Sequence, residues 1–213
     1  MKSLYVFTTI LFISLFAGAQ TNLYQHENFD QLTADHKIIA VVPFEATVEL
    51  RPKQREKISE EEFAALELSE GASIQNAMYS WFLKRKKRGT MEVDVQSPRI
   101  TNAKLAAANI TPENMVQYTP EEMAKILEVD AIIMGTFNTN KPMSDGAAVV
   151  LTLLVGFFGT TNTAVINMEI YNAADGELLW NYNKKVRGSL GSDSDDLINT
   201  LMRKASRRLG YTD

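Results

Sequence analysis

Ile38-Ile39-Ala40-Val41-Val42-Pro43-Phe44 is an unbroken apolar, largely β-branched run that ends at a proline. A strand with one wet face alternates apolar with polar residues, so a run without alternation predicts a strand covered on both faces in an α/β sheet. Pro43 has no N–H to give to a ladder and fits the end of that strand. A second such run, Val-Asp-Ala-Ile-Ile-Met-Gly-Thr-Phe, occupies 129–137. The residues between the two decide how they are joined.

Ser59-Glu60-Glu61-Glu62 has the spacing of a capping box and predicts a short helix through Leu68, interrupted at Gly71. Ile74, Ala77, Met78, Trp81 and Phe82 then recur at three- and four-residue intervals, the buried stripe of a longer helix closing at Lys84–Arg88 and Gly89. Met91, Val93 and Val95 alternate with polar residues as a half-wet strand. An alanine-rich helix is expected over 99–109. Thr119-Pro120-Glu121-Glu122 opens a further helix whose apolar face is Met123, Ile126 and Leu127. Strand and helix therefore alternate as parallel crossovers require.

The last third reads differently. Ile166, Met168 and Ile170 alternate with Asn167, Glu169 and Tyr171, Asp175-Gly176 supplies a turn, and Leu178, Trp180, Tyr182 and Val186 are expected on one face of the returning strand. Leu197, Ile198, Leu201, Met202, Ala205 and Leu209 then form one side of a final helix, with Asp193, Asp195 and Asp196 at its start and Arg203, Lys204, Arg207 and Arg208 at its end. The sum is one α/β domain over 37–211: a mixed sheet with parallel β-α-β crossovers, a C-terminal β-hairpin and a closing C-terminal helix. Residues 20–36 are expected to be an extended lead-in, and 141–160 to hold an apolar insertion.

Upstream, Lys2 precedes the apolar stretch Leu4 to Phe16, and Ala17-Gly18-Ala19 follows in the A-x-A pattern, so residues 1–19 read as a signal peptide. As a helix the apolar stretch would rise about 20 Å, short of the ~30 Å hydrocarbon core. Export from the cytosol is the expectation.

The whole chain of 213 residues has 22 Lys+Arg against 26 Asp+Glu, the reverse of the excess that nucleic-acid binding requires. Cysteine is absent, which removes disulfides, thiolate metal sites and cysteine nucleophiles. The two histidines, His26 and His36, fall in the lead-in and at the edge of the first strand, away from any triad. Asp193-Ser194-Asp195-Asp196 lacks the glycine and final glutamate of a calcium loop. Glu60, Glu61 and Glu62 diverge around a helix turn, and neither buried strand leads into a glycine-rich phosphate loop. No enzyme, cofactor or metal is expected.

Three segments carry a resemblance: Ile39-Ala40-Val41-Val42-Pro43-Phe44, the stretch from Glu121-Glu122-Met123-Ala124 to Ile133-Met134-Gly135-Thr136, and the hairpin from Ile166 through Asp175-Gly176-Glu177-Leu178-Leu179-Trp180. Together they resemble a superfamily of bacterial envelope proteins. It includes the curli-secretion channel subunit, the lipoprotein activator of penicillin-binding proteins and the N-terminal domain of the Tol-system propeller protein. The resemblance implies an α/β domain in the periplasm, or on the periplasmic face of the outer membrane, that binds partners and catalyses nothing. The chain departs from the lipoprotein members in lacking an anchoring cysteine. It departs from the channel members in that Ala147 to Phe158 is apolar without the alternation a membrane hairpin needs.

Two stretches remain as contact candidates. One is the apolar segment containing Val149, Val150, Leu153, Leu154, Phe157 and Phe158, which reads either as core or as a docking patch. The other is Lys84-Arg85-Lys86-Lys87-Arg88, which reads either as a solvated helix end or as a surface for anionic headgroups. The function expected is that of an exported envelope accessory protein binding a protein partner or the outer-membrane surface, in support of assembly, secretion or cell-wall synthesis. A self-assembling, channel-like homo-oligomer and a carboxylate-based envelope hydrolase are the alternatives.

Overall fold

The structure is a computed structural model that describes residues 21–140, 162–188 and 194–212. The expected leader and the apolar segment with Val149, Val150, Leu153, Leu154, Phe157 and Phe158 lie outside the described residues. The described chain runs β1 (Thr21–Gln25), α1 (Phe29–Thr33), β2 (Ile38–Val41), β3 (Glu45–Val48), α2 (Pro52–Arg55), α3 (Glu60–Lys87), β4 (Asp94–Val95), α4 (Pro98–Ala107), α5 (Pro120–Leu127), β5 (Ala131–Thr139), β6 (Asn162–Asn172), β7 (Leu178–Gly188) and α6 (Ser194–Ser206). The strands form one mixed sheet in the order β1-β7-β6-β5-β2-β4, with β3 also beside β5.

The two unalternating runs are neighbours at the centre. β2 lies parallel to both β4 and β5, and its successive residues feed opposite cores. Ile39 and Val41 pack with Ile74, Met78 and Phe82 of α3 and with Leu201 and Met202 of α6. Ala40 and Val42 pack with Leu105 of α4 and with Met123 and Leu127 of α5. Burying an aliphatic side chain of this size stabilises by roughly 1.5–3 kcal/mol, which explains why no polar residue is tolerated in the run.

β2 ends at Val41, two residues before the Pro43 expected to close it. β3 resumes along the same edge of β5, so Val41 pairs with Ile133 and Glu45 with Thr136, four residues advancing against three. The extra residue makes a bulge, and proline suits it because a bulged position needs no ladder N–H.

Gly71 does not interrupt the helix. α3 is continuous over 28 residues, capped by Ser59, whose side chain accepts from the Glu62 N–H. A Cβ at Gly71 would lie 2.1 Å from the carbonyl oxygen of Phe44, so glycine is there to let the helix meet the bulged backbone. One turn on, Gln75 Nε2 donates to Val41 O at 2.7 Å and to Asn102 Oδ1 at 2.9 Å. The Glu67 carboxylate accepts from Val48 N at 3.0 Å. α3 thus satisfies outward-facing backbone groups of the broken strand.

Residues 21–33, in the expected lead-in, supply β1, antiparallel to β7, and α1, which buries Phe29. In the hairpin, a register shift at Ile170/Tyr171 buries Leu179 with Trp180 and Tyr182 and leaves Leu178 half-buried. Strict alternation through the turn would bring Leu178 to that face, and the register shift turns it away. The strand expected at Met91–Val95 forms a ladder only at Asp94–Val95; Met91 makes an isolated bridge to Thr212, and Met91 and Val93 are buried.

Candidate functional site

The basic run was the sequence's candidate among the described residues, and the structure divides it. Lys84 lies over the Trp81 ring at 4.2 Å, and Lys86 pairs with Asp94. Arg85 turns inward and is only 7% exposed; its Nε donates to Ser206 Oγ at 3.3 Å and its Nη2 to Arg203 O at 3.4 Å. Lys87 and Arg88 face solvent.

Through Arg85 the C-terminal end of α3 lies against that of α6, so the two basic ends merge. Arg203, Arg207 and Arg208 are exposed beside them and Lys204 is half-buried. Their fields are felt inside. Burial, and then the charges of Arg88 and Arg207, hold the Arg85 guanidinium below its ordinary pKa. Burial, and then Lys204 and Arg208, do the same to the ammonium of Lys184. Two helix C-termini with their negative dipole ends offset part of this repulsion. The result is a surface of exposed cations, Lys84, Lys87, Arg88, Arg203, Arg207 and Arg208, drawn from segments more than a hundred residues apart.

The sequence did not reveal a second site. At the β3 margin a groove of about 610 Å³ is floored by Phe44 and Ala46 of the bulged strand, Met134 of β5 and Met115 of the 3₁₀ turn between α4 and α5. Leu68 of α3 and Val116 stand at its sides, 43% and 89% exposed. Glu45, Glu67, Glu113 and Glu169 also line it, and among the described residues no Lys or Arg does.

Three of these carboxylates are held in place, Glu67 by the Val48 N–H of β3 and the other two, Glu113 and Glu169, from within their own segments. Glu169 Oε2 accepts from Tyr171 Oη at 3.1 Å, and Oε1 from Asn167 Nδ2 at 3.2 Å. Burial first, then the Glu169 charge, pushes the Tyr171 hydroxyl up to about 12, so it stays a donor. The Thr111 side chain, through its hydrogen bond, holds the Glu113 carboxyl below the usual range. Among the described residues, none of the four is in an ion pair.

Periodicity could not have found this groove. Val116 looks like any apolar residue of a loop, and the four glutamates come from four elements. Glu60, Glu61 and Glu62, weighed as an acid–base set, sit in the first turn of α3, where Glu62 closes the capping box and Glu60 pairs with Arg55. Among the described residues no helix is long and apolar enough to cross a membrane, and no three His, Asp or Glu side chains gather as metal ligands.

No family model matches the chain, and no curated protein matches it. Among solved structures it is similar to the PelC dodecamer from Paraburkholderia phytofirmans, at 12% identity and TM-score 0.46 over 92% of this chain and 99% of that one. It is similar to the lipoprotein GNA1162 from Neisseria meningitidis, at 13% identity and TM-score 0.45 over 81% and 97%. The LpoB C-terminal domain from Salmonella enterica matches at 8% identity and TM-score 0.36 over 74% and 91%.

Proposed function

We propose that this chain is an exported, non-enzymatic accessory protein of the bacterial envelope, and that it works by binding. Its basic end rests on an anionic surface, the headgroups on the periplasmic face of the outer membrane, leaving the rest of the body open to protein partners. The observation that carries this is the joining of the α3 and α6 C-termini into one cationic surface. Near an anionic bilayer each Lys or Arg contributes about 1 kcal/mol, so a handful acting together suffices for reversible attachment. Cosedimentation with vesicles tests it. Binding should require anionic lipid and weaken as salt rises, and equal binding to neutral vesicles would overturn it.

A further inference from the structure

The groove at the β3 margin has a chemistry opposite to that of the basic end. We propose that it is the docking site for a cationic amphipathic segment of a partner protein, whose apolar residues contact Leu68 and Val116 and whose Lys or Arg side chains reach Glu45, Glu67, Glu113 and Glu169.

Charge complementarity selects this occupant. Among the described residues four carboxylates and no Lys or Arg line the groove, and no ion pair neutralises them. Anionic lipid headgroups and nucleic-acid phosphates are repelled by such a rim. The carboxylates belong to β3, α3, the α4–α5 connection and β6, so one small cation cannot serve them all. A polypeptide carrying several cations along its length can. The apolar lining completes the argument, since an 89% exposed valine and a 43% exposed leucine on one groove are surface that water solvates poorly and an apolar side chain covers well. The volume lies within the roughly 300–1,000 Å³ of ligand-sized clefts. Glu169 is fixed by Tyr171 and Asn167 before anything arrives, so little ordering remains to be done on binding.

The test uses the intact protein and two labelled synthetic peptides, one with Leu and Lys at amphipathic helical spacing and one with Glu in place of every Lys. Fluorescence anisotropy should show binding of the Lys peptide alone, weakening with salt. Glu45→Lys with Glu113→Lys should weaken it by roughly tenfold or more. Glu27→Lys with Glu92→Lys, which changes net charge equally at exposed positions elsewhere, should leave it within about twofold. Val116→Asp, at a site too exposed to affect folding, should also weaken it. The proposal is overturned if both peptides bind alike or if the two charge-reversed pairs behave alike. It is also overturned if light scattering shows copies of the chain associating through the groove and Val116→Asp dispersing them, which would make a second copy the occupant.

Discussion

His36 Nδ1 and the Tyr211 hydroxyl stand 2.6 Å apart, joining positions 175 residues distant in sequence. Tyr211 packs edge-on against Phe29 at 5.3 Å, and a Cβ at Gly210 would fall 2.4 Å from the same ring. The chain's last described turn is thereby fastened to its first helix. Burial raises the Tyr211 pKa, with Asp130 adding to it, so the hydroxyl keeps its proton and can donate to neutral His36.

That contact predicts a pH dependence. Burial lowers the His36 pKa below its ordinary value, against the opposing pull of Asp130, Asn172 and Asp35. The unfolded chain then binds this proton more readily than the folded one. The contact keeps its full stability above about pH 6.5 and loses it as the pH falls from there towards the folded-state pKa. Melting temperature measured from pH 7.5 to 5 should drop more for the native chain than for His36→Gln. Parallel curves would assign the acid sensitivity to other groups.

Gly71→Ala should destabilise, although alanine in a helix interior ordinarily gains about 1 kcal/mol over glycine. The new methyl would meet the Phe44 carbonyl at 2.1 Å, and separating helix from bulge costs about 1–3 kcal/mol, as overpacking does. Urea unfolding decides the sign. A stabilised variant would show that α3 and the bulge are not in backbone contact.

Gln75→Leu keeps the bulk of the side chain while leaving the Val41 carbonyl and the Asn102 amide without this partner. A loss of about 1–3 kcal/mol is expected, and Asn102→Ala made in the same background should then add little. Full additivity of the two substitutions in denaturant titrations would refute the network.

Arg203→Glu with Arg207→Glu should lower affinity for anionic vesicles by at least roughly tenfold, since each cation near such a surface contributes about 1 kcal/mol. Lys37→Glu, exposed at the start of β2, should leave binding nearly unchanged. The same pair of reversals should change stability little, because relief of the Arg207–Arg85 repulsion opposes the cost of carboxylates at the negative end of α6. Indifference of vesicle binding to both sets would remove the membrane from the proposed function.

Sequence alone determined the central sheet and the polarity of its coverings. A short, β-branched, unalternating run such as Ile39–Val42 points to a strand buried on both faces, and capping boxes at Ser59 and Thr119 mark helix starts because the reciprocal hydrogen bonds are local. It could not tell that Gly71 serves as a contact point or that Pro43 sits in a bulge, since both follow from the approach of α3 to a strand far from it in order. Nor could it join Arg85 to Ser206 or gather Glu45, Glu67, Glu113 and Glu169 around one groove. Periodicity encodes which face of an element is buried. Which distant faces meet, and so where charge of one sign accumulates, depends on packing between elements, and that only the tertiary structure decides.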